Sequence, residues 1–394
     1  MKSTKQLVIY MFFVIISLFI VTNIRFNNIK SNVKISAEKI ANDGLYPMFI
    51  KNAYITAIDS SGDLIILNEI YTSGSKNIIE NTLGIPVMQY KNYSMYMPEA
   101  NYINITRDTK TTTLYPQYWH GYLIIYKLLF NFFTLDTIRI LMCVIYAFIL
   151  IYTLFVALKH KLNFLYWIVF AQIPFILPFG IMNLETAPVF FVMMASVLLL
   201  IKNNGKINIT LIFSGFLTAF FDFLTVENLV LSILLYVLYI HKKYNIKQLF
   251  KSACLWSISY ILTFIFKWGI VTIFIDKTFF MKIPALFART KYGVIQPTTA
   301  LYNVFDTLLF NQNVVYIFLL IFILVILIKK AFIKELFFIL SIPLIRTIIL
   351  PGHSDLHRLF TCRCLIIFLI ILLTIIFRKG LAKNIKMEKH LMDM

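Results

Sequence analysis

The chain has 394 residues, 60% of them hydrophobic, with a formal charge of +19 and a mean hydropathy of +0.80. Soluble domains carry an apolar share of roughly 45–50%, so a single water-soluble core is excluded and bilayer spans must take up most of the length. The excess of lysine and arginine would suit a nucleic acid, but it gathers in short turns between apolar runs, which makes it a topology signal and excludes nucleic acid as a partner.

The first apolar run, Leu7 to Val21, follows Lys2 and Lys5, and the residues after it lack a small-x-small cleavage pattern. It reads as an uncleaved anchor helix over residues 1–22 rather than a removed signal peptide. Residues 23–120 are the only long hydrophilic passage, and their basic and acidic side chains nearly balance, as in a translocated segment. Scattered Gly62, Gly74, Gly84, Pro86, Pro98 and Pro116 predict short helices and turns. Tyrosines from Tyr90 to Tyr118, with Trp119, suit either a headgroup-level surface or a sugar-stacking platform.

Residues 122–133 form an apolar run with one lysine, Lys127, placed along the interface. Beyond it, apolar runs at 137–157, 162–180, 187–201, 207–222, 226–240, 252–275, 313–328, 335–350 and 361–377 approach the ~20 residues that cross a bilayer core. The fold class is therefore an all-α polytopic membrane protein. It has about ten transmembrane helices, with a large extracytoplasmic loop between the first and second. Basic residues at Lys159 and Lys161, Lys202 and Lys206, Lys242 to Lys251, Lys329 to Lys334 and the tail from Arg378 to Lys389 fall in alternate turns. The positive-inside rule then places both termini in the cytoplasm and the protein in the plasma membrane of a bacterium, whose AT-rich coding is suggested by the frequent Ile, Lys and Asn. Residues 121–394 form the multi-span bundle, interrupted by a second outer loop at 276–312 that carries Lys282, Arg289 and Lys291.

Charges inside or beside spans narrow the functional search, because an ionised side chain in hydrocarbon costs at least ~2.5 kcal/mol and is kept for a partner or a function. Asn183 and Glu185, Asp222 and Glu227, Lys267, Arg346 and Arg363 all fall toward the side on which 23–120 lies, which favours a one-sided site over a conduction path. In the outer segment, Asp59 and Asp63 sit four apart with Glu69 following, and a carboxylate is what a hydroxyl acceptor requires as general base. His353 and His357 share one helical face, but no glutamate completes a zinc motif; headgroup hydrogen bonding or phosphate binding with Arg358 fits them better. Cys143, Cys254, Cys362 and Cys364 all lie in apolar runs without a disulfide framework or zinc spacing. A divalent metal is compatible with the chemistry, yet no ligand spacing indicates one, and the cofactor stays open.

This layout resembles the GT-C integral-membrane glycosyltransferases, whose first outer loop supplies a catalytic acid and whose sugar arrives on a polyprenyl phosphate. The resemblance covers the architecture of nearly the whole chain, without a diagnostic motif. It implies Asp59 or Asp63 as catalytic base, with Trp119, His120, Glu185, Asp222, Arg289, Arg346, His353, His357 and Arg363 as substrate-binding residues. The implied partners are the lipid bilayer, a lipid-linked sugar donor and an extracytoplasmic glycan or glycolipid acceptor. Tyr115 to Tyr122, Gly215 to Thr225 and His353 to Arg363 also look like segments of a group of multi-pass proteins from low-GC Gram-positive bacteria, a likeness that carries no function. A transporter or flippase of a lipid-linked sugar or small solute is the alternative, as is a non-catalytic envelope assembly protein; against transport, no internal repeat is present.

Overall fold

A computed structural model describes residues 2–51, 53–89, 97–202, 204–282, 295–309 and 334–377. The described chain is mostly helical. Helix α1 (Lys2–Asn23) leads into a polar segment built from α2 (Ile29–Asp43), α3 (Ser60–Thr72), strand β1 (Pro86–Met88), α4 (Pro98–Thr106) and strand β2 (Thr112–Leu114). The strands pair antiparallel, with Val87 opposite Thr113. Asn68 on α3 both accepts from the Met88 amide (2.8 Å) and donates to the Met88 carbonyl (3.0 Å), while Asn104 of α4 donates to the same carbonyl at 2.8 Å. Buried amide side chains thus satisfy the strand edge and tie two helices to it.

The apolar runs then follow as helices: α5 (Leu123–Phe130), α6 (Leu135–His160), α7 (Phe164–Phe175), α8 (Ala187–Lys202), α9 (Ile207–Phe221), α10 (Glu227–Lys242) and α11 (Ile246–Phe274). After them come α12 (Pro297–Leu309), α13 (Lys334–Ile349), α14 (Pro351–Leu356) and the helical run α15 (Arg358–Phe377). Helices α6, α11 and α15 are long and apolar enough to cross a membrane. Shorter apolar helices, such as α8 with 16 residues, reach about 24 Å at 1.5 Å per residue, less than the ~30 Å hydrocarbon core.

Several boundaries depart from expectation for identifiable reasons. Helix α11 starts at Ile246 because Asn245 and Gln248 form a capping box, each side chain accepting from the other's amide at 3.1 and 2.9 Å. Helix α7 carries Pro174 and stops at Phe175, so residues 176–186 form turns where the apolar run predicted span. The segment around α5, expected along the interface, is packed inside: Tyr122, Tyr126, Lys127 and Phe130 are buried, and the Lys127 ammonium donates to the Thr22 carbonyl at 2.9 Å. The expected span at 313–328 lies outside the described residues.

Helix α10 is buried nearly all round from Leu229 to Leu238 and packs on α8, α9, α11, α13 and α15. It forms the centre. Helices α6 and α11 lie at the periphery and expose one apolar face each, with Phe148, Ile151, Phe155 and Leu158 on the first and Ile258, Ile261, Ile265 and Phe266 on the second. Such contiguous exposed apolar surface is what lipid covers. Lys159, Lys202, Lys242 and Lys247 sit at the far ends of α6, α8, α10 and α11, opposite the end on which the polar segment rests.

Candidate functional site

The polar segment is fastened to one end of the bundle by ties that side-chain chemistry explains. The Trp119 indole donates to the Thr263 carbonyl (2.9 Å), Trp268 to the Gln117 carbonyl (3.0 Å) and the buried Lys267 ammonium to the Leu83 carbonyl (2.9 Å). Lys267 also lies 5.3 Å from the Trp119 ring centroid. Gly121 allows the closest approach, since a Cβ there would come within 2.6 Å of the Phe220 carbonyl oxygen. The result is a layer of ionisable side chains between the polar segment and the turns at 176–186, 222–227 and 350–363.

Asp59 and Asp63 meet different fates in this layer. Asp63 is sealed and ion-paired, with Arg139 of α6 at 2.6 Å and the Leu184 amide donating to its other oxygen at 3.0 Å. Burial raises its carboxyl and Arg139 opposes that rise. Asp59 caps α3, one oxygen accepting from the Gly62 amide at 3.0 Å, and its own amide donates to Asn183 Oδ1 at 2.6 Å. Its carboxyl makes no ion pair among the described residues, and burial pushes it up to about 6, against the Gly62 bond. Asp59 is therefore the member of the pair with unspent acceptor capacity in a dry, partly accessible place.

Glu185 faces Asp59. A Cβ built on Gly62 would stand 3.0 Å from Glu185 Oε2 and 4.0 Å from Asp59 Oδ1, so both carboxyls border this corner. Glu185 is buried and has no hydrogen-bond partner among the described residues. Burial, and then the charges of Asp59, Asp222, Asp63 and Glu69, raise its carboxyl well above the ordinary range. Asp222 closes the same layer: it accepts from the Thr225 hydroxyl (2.7 Å) and amide (3.1 Å) and caps the approach to α10. Burial and the neighbouring Glu227 push Asp222 up to about 7.

The remaining residues from the sequence reading serve as ties. Arg346 donates to Glu227 (3.1 Å), the Ser354 hydroxyl (2.6 Å), the Leu224 carbonyl (2.6 Å) and His353 Nδ1 (3.0 Å), which leaves it one of its five N–H groups. The His353 and His357 rings lie 4.5 Å apart at a tilt of 41°; burial lowers both imidazoles, His357 to about 4. Arg363 is fully buried and donates to the carbonyls of Phe175 (3.1 Å), Ile55 (3.2 Å) and Leu359. No carboxylate pairs with it among the described residues, and Asp59 is the acid whose charge it feels. Trp119 is wholly buried, which removes it from sugar stacking. Arg289 lies outside the described residues.

His120 belongs to a network the sequence did not reveal. Its Nε2 donates to the Tyr115 carbonyl at 2.8 Å, leaving Nδ1 at 2.7 Å from the Tyr122 hydroxyl and 3.1 Å from Glu69 Oε1. Tyr122 donates to Glu69 Oε2 at 2.6 Å, so the phenol bridges the imidazole and the carboxyl. Arg139 was also missed, although a lone cation opening an apolar run was a legible signal. Among the described residues, no three His, Cys, Asp or Glu side chains are grouped to hold a metal ion. No protein-family model, curated protein or solved structure matches the chain, and the chemistry of the site rests on its own geometry.

Proposed function

We propose that the chain is a GT-C-type membrane glycosyltransferase of about ten spans, with residues 23–120 and the carboxylate layer on the extracytoplasmic side. It moves a sugar from a polyprenyl-phosphate donor to an envelope glycan or glycolipid. The observation that carries this reading is Asp59: a carboxyl raised to about 6, without an ion pair among the described residues, at the seam between the polar segment and the bundle. A general base works best when its affinity for protons lies near the operating pH and its lone pair is unspent. Asp59 takes the proton of the acceptor hydroxyl while that oxygen bonds to the anomeric carbon of the sugar. The bond from that carbon to the phosphate oxygen breaks, and its electron pair leaves with the polyprenyl phosphate. Arg363, which keeps N–H groups beyond its three carbonyl bonds, supplies positive field beside the base.

Reconstituted protein given a labelled polyprenyl-phosphate sugar and membrane acceptors tests this. Asp59→Asn is expected to lower transfer by at least about 100-fold, the usual scale for losing a general base. Transfer unchanged by Asp59→Asn removes the assignment.

A further inference from the structure

Not every carboxyl of the layer has a cation paired with it among the described residues. Asp63 is matched by Arg139 and Glu227 by Arg346, while Glu69 accepts from the Tyr122 hydroxyl and lies 3.1 Å from His120 Nδ1. Asp222 accepts from the Thr225 hydroxyl and amide, with the Tyr260 hydroxyl at 3.4 Å. Two carboxyls remain, Asp59 and Glu185, in one corner beside Gly62. Glu185 is only 5% exposed yet makes no hydrogen bond among the described residues, and its Oε2 points at the Gly62 corner where Asp59 lies. A carboxyl this enclosed, with no donor from the described residues, has acceptor capacity that a ligand can use.

We infer that this corner binds a protonated primary amine carried by the substrate, with Glu185 as the anchoring carboxylate and Asp59 beside it. The inference rests on the transferase reading and names its substrate class: an amino sugar on the donor or an amine on the acceptor. An ammonium has three donors on one compact centre and is held by the Glu185 carboxylate without strict geometry, which leaves Asp59 free to act as base. Magnesium, which keeps several waters and takes one or two carboxylates with substrate phosphate, is the competing occupant, and the titration below separates it from an amine; no grouping of three ligating acids or histidines exists among the described residues. Entry of the amine displaces the proton that burial and four neighbouring acids hold on Glu185, which leaves as the ammonium takes its place. Gly62 keeps the corner open, because a Cβ would stand 3.0 Å from the anchoring oxygen.

Thermal unfolding of the detergent-solubilised full chain, titrated with glucosamine, ethanolamine, N-acetylglucosamine and magnesium ion, tests this without requiring transfer. Glucosamine is expected to raise the melting temperature saturably by a few degrees, while N-acetylglucosamine does not. The same rise with ethanolamine places the recognised amine outside a sugar ring; a rise with glucosamine alone places it on one. Glu185→Gln is expected to abolish the rise, and Glu185→Asp to weaken it. An unliganded melting temperature for Glu185→Gln at or above the wild-type value shows the variant folded. Equal shifts with the N-acetylated sugar, a shift with magnesium only, no shift at all, or a shift that survives Glu185→Gln each overturn the inference. Transfer of neutral sugars with no amine effect would leave the transferase standing and remove the amine. An amine effect without any transfer would do the opposite.

Discussion

Two carboxylates four residues apart on one helix end do different work because of what lies opposite each. Asp63 meets a guanidinium from α6, 76 residues away in sequence, whereas Asp59 meets backbone amides and another acid. Removing one partner of a buried ion pair leaves the other charge uncompensated, at about 3–5 kcal/mol. Asp63→Asn is therefore expected to lower thermal stability sharply, and adding Arg139→Met to recover most of the loss. Asp63→Asn as stable as the wild type would show that the pair is dispensable. Asp59 gives a different readout. Protonated below about pH 6, it cannot accept a proton, so the transfer rate should climb with pH through that value and level off above it. A flat profile from pH 5 to 8 would exclude Asp59 as the titrating base. Neither distinction was open to the sequence, since spacing places both acids near one turn without saying which meets a cation.

At the scale of elements, close backbone crossings hold the site's scaffold. Helices α9 and α11 meet where a Cβ on Gly215 would lie 2.5 Å from the Trp256 carbonyl oxygen, a contact no side-chain motion relieves. Gly215→Ala should part the two helices and cost roughly 1–3 kcal/mol. Helix α11 also supplies the Thr263 carbonyl and Lys267 that fasten Trp119 and Leu83. Gly269, on the same helix, has nothing within 4 Å of its Cβ position, so Gly269→Ala should be neutral or mildly stabilising by melting temperature. The reverse order of the two variants would contradict the packing. Most helices were legible because apolar runs bounded by lysines or prolines leave little choice. The capping box before α11 was present as Asn245 and Gln248 but lay among lysines that masked the helix start. The β1 and β2 strands were not legible: three residues each, far apart in sequence, they show no period to read.

For the whole molecule, the distribution of charge matters more than its sum. Basic helix ends gather opposite the polar segment, and Asp59, Glu185, Asp222, Arg346 and Arg363 gather beneath it. The gathering of these charges beside residues 23–120 was legible, because they fall at or near the ends of apolar runs. The ties that make the layer a site join residues up to 308 positions apart, as between Ile55 and Arg363, and only the fold discloses them. The central claim is that this layer transfers a sugar through Asp59. Its most direct test is the envelope glycan composition of cells lacking the protein, complemented with wild type or with an equally abundant Asp59→Asn variant. The expected result is loss of one sugar, restored by wild type and not by the variant. An unchanged glycan, or full restoration by Asp59→Asn, would contradict the claim.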